Sequence, residues 1–127
     1  MSCVLDAWAV LALLRDEPAT PTVVDWIRRG GARMSWVNLG EVYYGEARRV
    51  GDARAAEAID AVRGIVTTEL PDEDLVLAAA RIKAAHPLSF ADAFAVATAE
   101  RHRLPFLTGD PELIGLDRPA FEVVDLR

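Results

Sequence analysis

"CVLDAWAVLALLR", residues 3–15, changes its period in the middle. Cys3–Leu5 form a short continuous apolar run, which reads as a buried strand. From Ala7 onward the apolar residues run on as a helix through Arg15. Asp6 stands at the junction. An Asp there is a good helix N-cap. It also ends a strand, and open parallel sheets place their ligand sites beyond the carboxyl ends of their strands.

The same strand-then-helix unit recurs along the chain. A helix over "TVVDWIRR" (22–29) is predicted to stop at Gly30-Gly31, a strong C-terminal signal. "RMSWV" (33–37) reads as a strand, followed by a helix from Asn38 through about Arg49. "DARAAEAIDAVR" is helical, "GIVTTE" is a β-branched strand, and "DEDLVLAAARIKAA" is a helix with acids in its first turn, as the helix dipole favours. "SFADAFAVATAERHR" continues as a helix, "LPFLT" as a strand, "PELI" as one helical turn and "FEVVDL" as a last strand. Strands separated by helices define an α/β domain with a mainly parallel sheet. No repeat, low-complexity tract or linker divides the 127 residues, so a single domain over 1–127 is expected.

Composition removes several classes of function. With 27% charged and 52% hydrophobic residues the chain is neither disordered nor fibrous. No apolar run approaches the roughly 18 residues of a membrane span. The start, "MSCVLDAWAVLALLRDE", has no basic leader and carries Asp6 inside its apolar stretch, which argues against a signal peptide. Cys3 is the only cysteine, which rules out an intrachain disulfide and a cysteine-built zinc site, and a reducing cytoplasm is the expected location. A net charge of −6 disfavours coating nucleic acid by bulk electrostatics, so any such work has to be local.

"LSFADAFAVATAE", residues 88–100, poses the sharpest question. From Phe90 to Ala99 only Asp92 and Thr98 are polar, and a helix apolar on nearly every side is normally buried. Buried Asp is rare unless it is paired or bound to a metal. Three further acids sit at comparable places: Asp6 after the first strand, Glu41 after the second, and Asp110 after "FLT". Each has a plain explanation. Asp6 and Asp110 serve as N-caps, with Pro111 at the favoured first helical position. Asn38-x-x-Glu41 and Ser89-x-x-Asp92 both read as capping boxes. Jointly the acids weigh differently, because the strand-terminal ones face one rim of a parallel sheet and the apolar helix is able to present Asp92 there too. Carboxylates gathered at short range repel strongly. A divalent cation would offset that repulsion, and all-oxygen ligands indicate Mg²⁺ or Mn²⁺ over Zn²⁺.

The chain resembles the PIN-domain nucleases, specifically the VapC toxins of bacterial toxin–antitoxin pairs. The resemblance rests on "VLDAWAVLALL", "NLGEVYYGEA", "LSFADAFAVATA" and "LPFLTGDPEL" in this order and spacing, over nearly the whole length. It implies a sheet of order 3-2-1-4-5 and an acidic metal site of Asp6, Glu41, Asp92 and Asp110. It also implies a metal-dependent endoribonuclease, a homodimer, and neutralisation by a cognate VapB-type antitoxin. Asp6 and Asp92 would be the main ligands, with Glu41 and Asp110 binding directly or through water. Asn38, Ser89 and Thr108 are candidates for orienting them, although capping or a turn explains each of the three. Members often carry Ser or Asn two residues after the first Asp, where this chain has Trp8.

Other readings compete. Arg48-Arg49 and Arg101-His102-Arg103 offer phosphate contacts, but cations at helix C-termini are common for the dipole alone. The Trp and Tyr residues belong mostly to the core, with one of Tyr43 and Tyr44 at an interface, since adjacent helical residues do not face the same way. A receiver domain would need a Lys near its phosphoryl site and paired acids after its first strand, but the only lysine, Lys83, lies inside a helix. A dehalogenase-like phosphatase wants Asp-x-Asp where this chain has Asp6-Ala7-Trp8. The remaining rival is a catalytically inactive PIN-like domain that binds RNA or protein.

Overall fold

The computed structural model describes residues 1–116 and 120–127. Its elements follow in the order β1 (Cys3–Leu5), α1 (Ala7–Leu14), α2 (Thr20–Gly30), β2 (Ala32–Ser35), α3 (Trp36–Val50) and α4 (Asp52–Arg63). There follow β3 (Thr67–Glu69), α5 (Glu73–Ala85), α6 (Phe90–His102), β4 (Phe106–Thr108), α7 (Pro111–Ile114) and β5 (Val123–Asp125). The strands form one parallel sheet in the order β3-β2-β1-β4-β5, as the resemblance implies. No helix among the described residues is long and apolar enough to cross a membrane.

The sheet's two faces are told apart by the alternation of side chains along each strand. Cys3, Leu5 and Leu107 belong to one core cluster, filled by Val10 of α1, Val23 of α2, Leu39 and Val42 of α3, and Ile59 and Val62 of α4. Val4 and Phe106 point the other way, into a cluster filled by Leu75, Ala79 and Ile82 of α5 and the apolar run of α6. Helix α3 touches both, since Val37 packs against the second cluster. Helix α6 is buried continuously from Ala93 to Ala99. Four of those seven side chains are alanines, so the helix can lie close to the sheet, and the one polar residue, Thr98, donates its hydroxyl to the Phe94 carbonyl at 2.8 Å.

The second strand and helix differ from the sequence reading. Strand β2 ends at Ser35, and Trp36 and Val37 already lie in α3. Ser35 is the true N-cap: its hydroxyl accepts from the Val37 N–H at 3.2 Å. Asn38 and Glu41 are therefore inside the helix and form no capping box. The strand-like composition of "MSWV" hid a cap residue whose hydroxyl satisfies a donor that the strand would have left unpaired. Strand β3 is likewise shorter than "GIVTTE", beginning only at Thr67. Helix α2 stops where expected, with Gly31 at φ 80°, a left-handed value that other residues rarely adopt.

One buried acid escaped the sequence reading altogether. Glu46 of α3 is buried and holds Arg15, at the end of α1, through Nε at 3.0 Å, and Arg49 through Nη2 at 2.9 Å. The Arg49 and Arg15 guanidiniums keep the Glu46 carboxyl below its ordinary range against the opposing pull of burial. A carboxylate depressed in the folded state contributes stability above its unfolded pKa of about 4.3, and that contribution is lost as pH falls through the folded value. Glu46→Gln should therefore cost about 1–3 kcal/mol at pH 7. In denaturant titrations the gap from wild type should narrow as pH falls below about 4.3, the unfolded value; a gap independent of pH would show that charge at Glu46 is irrelevant.

Candidate metal centre at the carboxyl rim of the sheet

The register β1–β4 pairs Val4 with Phe106 and Leu5 with Leu107, so Asp6 and Thr108 leave the sheet side by side. Asp6 is the N-cap of α1, its Oδ1 accepting from the Ala9 N–H at 2.9 Å. Its Oδ2 accepts from the Thr108 hydroxyl at 2.5 Å. Thr108 Oγ1 in turn accepts from the Asp110 N–H at 3.0 Å, and Asp110 caps α7 by accepting from the Glu112 N–H at 2.9 Å. One chain of hydrogen bonds thus links the ends of β1 and β4 to the start of α7.

The other side of the site comes from α3 and α6. Asn38 is fully buried, and its Nδ2 donates to Glu41 Oε1 at 3.0 Å and to the Ala91 carbonyl at 2.9 Å. Both partners are acceptors, which sets the orientation of the amide and leaves Oδ1 buried without a partner. Ala91 precedes Asp92, so this one side chain ties Glu41 to the first turn of α6. Ser89 caps that helix, its hydroxyl accepting from the Asp92 N–H at 3.1 Å. Asp92 itself is not the cap. Nor is it deeply buried: the apolar run that surrounds it in sequence goes under the fold, while Asp92 stays half-exposed at the rim. Of the four acids weighed from the sequence, the fully buried one is Asp6, at 2% exposure.

The carboxylates do not group as the sequence suggested. Oxygens of Asp92, Asp110 and Glu112 lie within 4.8 Å of one another, and Glu112 was not foreseen. Its signal was present, since Asp110 and Glu112 flank Pro111 in the first turn of a helix, yet acids there are ordinary. Asp6 and Glu41 stand outside that trio and join it electrostatically through Asp92. Burial raises the Asp6 carboxyl to about 7, against the lowering effects of the Thr108 hydroxyl and the Ala9 N–H, and the charges on Asp92 and Asp110 raise it further. Glu41 is raised by burial and by Asp92, with Asn38 opposing. Asp92 is raised by burial and by Asp110 and Glu112, with Ser89 opposing.

Three carboxylates within 4.8 Å of one another, flanked by Asp6 and Glu41, which like Asp92 are held above their ordinary range, and the unpartnered Asn38 oxygen beside Glu41 fit a hard divalent cation. The donors are all oxygen, with no His or Cys among them. The basic residues weighed for phosphate contacts are largely taken up elsewhere. Arg49 pairs with Glu46, Arg101 makes two hydrogen bonds to Asp72, and His102 Nε2 lies 3.0 Å from Glu69, while Arg48 sits over the Tyr44 ring. Tyr43 and Tyr44, one of which was expected at an interface, are both exposed on α3.

Two stability measurements test this electrostatic picture in chelator. An acid whose pKa is raised on folding binds its proton in the folded state while the unfolded chain has lost it, so stability rises as pH falls. For Asp6 that window runs from about 7 down toward the ordinary carboxylate value. The protein should melt higher at pH 5.5 than at pH 7.5, and Asp6→Asn should flatten the slope. Asp92→Asn should melt at or above wild type at pH 7.5, since it removes a repelling charge and leaves the Ser89 cap intact. A lower melting temperature would mean that Asp92 is a structural contact.

Comparison with known proteins agrees with this architecture. The PIN domain family matches residues 3–120. No curated protein sequence matches. Among solved structures, a toxin–antitoxin complex from Klebsiella pneumoniae superposes with a TM-score of 0.76 at 19% identity, over 98% of both chains. DNA-bound VapBC from Salmonella typhimurium gives 0.78 at 14% identity, over 100% of this chain and 99% of that one. VapC20 of Mycobacterium tuberculosis, a toxin that cleaves the sarcin–ricin loop, gives 0.72 at 24% identity, over 87% and 91%. With the sheet order, the acidic rim and the family match in agreement, the chain belongs to the PIN domain family.

Proposed function

We propose that this chain is a metal-dependent endoribonuclease, the toxin of a VapBC-type pair, acting in the cytoplasm as one PIN unit over 1–127. The observation that carries the reading is the gathering of acids from four separate chain segments at one rim: Asp6, Glu41, Asp92, and Asp110 with Glu112. No requirement of the fold explains so much like charge in one place, and helix capping accounts only for Asp6 and Asp110. These residues would hold Mg²⁺ or Mn²⁺. When bound, such an ion lowers the pKa of water and neutralises charge developing on a phosphodiester. The remaining work belongs to the chain itself. Thr108 keeps one Asp6 oxygen oriented, Asn38 holds Glu41 beside α6, and Ser89 fixes the backbone from which Asp92 projects.

The partner reading is supported by the VapBC assemblies among the structural neighbours. A VapB-type antitoxin would bind with an apolar helix and reach the acids with a basic side chain. A homodimer is expected as well.

Purified protein should cleave single-stranded or loop RNA with Mg²⁺ or Mn²⁺, and stop in EDTA. Asp6→Asn and Asp92→Asn should each lower the rate at least 100-fold, or about 2.7 kcal/mol in activation free energy, while staying folded. Cleavage that survives chelation or both substitutions would overturn the metal-nuclease reading. Specific RNA binding with no cleavage under any divalent ion would favour the inactive binding module.

A further inference from the structure

Gly109 lies between two residues of the site, Thr108 and Asp110, and it is buried. A methyl group built on its Cα would fall 2.3 Å from Cη2 and Cζ2 of Trp8 and 2.4 Å from Cε2. Nothing larger than hydrogen fits. The backbone at Gly109 is not left-handed, so the glycine is required by the indole ring and not by its own conformation. Trp8 is the second residue of α1, two positions after Asp6, and its ring also packs against the core on that face of the sheet.

Two tethers therefore join the same two segments. One is the hydrogen bond from Thr108 to Asp6; the other is the ring of Trp8 lying on the backbone at Gly109. The Thr108 hydroxyl bonds Asp6 and also accepts from the Asp110 N–H, but both bonds meet at one oxygen and leave the segment free to pivot about it. An indole ring seated on the next peptide removes that freedom through close packing. The part of the chain so held delivers Asp110, and with it the turn that carries Glu112. We propose that Trp8 and Gly109 form a packing latch that positions Asp110 and Glu112 against Asp6 and Asp92 and so sets the cation affinity of the site. Trp8 acts here as a positioning residue. This rests on the metal reading above and extends it to a contact that no carboxylate makes.

The test uses the full chain, with Mn²⁺ titrated by calorimetry and melting measured separately in EDTA. Trp8→Ala should weaken Mn²⁺ binding at least five-fold and Gly109→Ala at least ten-fold. Trp8→Phe, which keeps an aromatic ring in the core but shortens its reach, should fall between Trp8→Ala and wild type. The double variant Trp8→Ala with Gly109→Ala should bind Mn²⁺ no more weakly than Trp8→Ala alone, because the methyl then occupies the space the ring vacated. The same non-additivity should appear in the melting temperatures without metal. If Gly109→Ala does not fold, the Trp8→Ala and Trp8→Phe affinities and recovery of folding in the double variant decide the matter. Variants that melt lower yet bind Mn²⁺ as wild type does would overturn the latch, leaving Trp8 a core residue only. Additive losses in the double variant would overturn it too. A wild type that binds no Mn²⁺ would instead overturn the metal reading, while the melting cycle still decides whether ring and glycine are coupled.

Discussion

A carboxylate taken out of water is tolerated only with partners, and among the described residues Asp6 has the loss of water with no Lys or Arg paired to it. It is 2% exposed and receives two hydrogen bonds, one from the first turn of α1 and one from Thr108 on the neighbouring strand. Those two bonds join three pieces of the fold: the end of β1, the start of α1 and the end of β4. They do not neutralise the charge. Burial still drives the group up to about 7, and the nearby Asp92 and Asp110 push the same way. The centre of the sheet's carboxyl rim is therefore built around an acid that the fold orients but does not satisfy.

The contrast with Glu46 sharpens this point. Both are buried acids tied to α1, Asp6 at its start and Glu46 through Arg15 at its end. Glu46 has two guanidiniums, and its carboxyl is held below the ordinary range. Asp6 has neutral donors and acidic neighbours, and its carboxyl is held above it. The same side-chain chemistry, equally hidden from water, is a structural tie in one place and a strained, ligand-ready group in the other. The sign of the shift separates the two where burial alone would not.

Around Asp6 the supporting contacts are of different kinds. Asn38 spends both of its N–H groups on Glu41 and the Ala91 carbonyl, and leaves its oxygen buried and unpaired. Such an orphan costs on the order of 1–3 kcal/mol, which a purely structural contact has no reason to carry. Thr108 relays orientation from the Asp110 backbone to Asp6 by hydrogen bonds, and the ring of Trp8 presses on the peptide between them.

Much of this was legible in the residues themselves. Strand-to-helix changes of period at Asp6 and after "FLT", the Gly30-Gly31 stop and the apolar run over 88–100 led to a parallel α/β sheet, because periodicity and capping are local properties of sequence. The four acids stood out by position at strand ends and within the apolar helix, and the family resemblance supplied the strand order and their reading as one metal site. Three-dimensional packing decided what local pattern could not. Ser35 displaced Asn38 as the cap of α3, because a cap is chosen by which side chain reaches the open N–H groups once the strand has ended. Asp92 stayed at the rim and Asp6 went under it, because burial depends on where a helix begins relative to the sheet and not on the polarity of its sequence neighbours. Glu112 came within 4.8 Å of Asp92 only when α7 was laid beside α6, and Trp8 met Gly109 only across the gap between α1 and β4. Those pairs stand 20 and 101 positions apart, and contacts at such separations are made by the packing of whole elements, which no window of residues records.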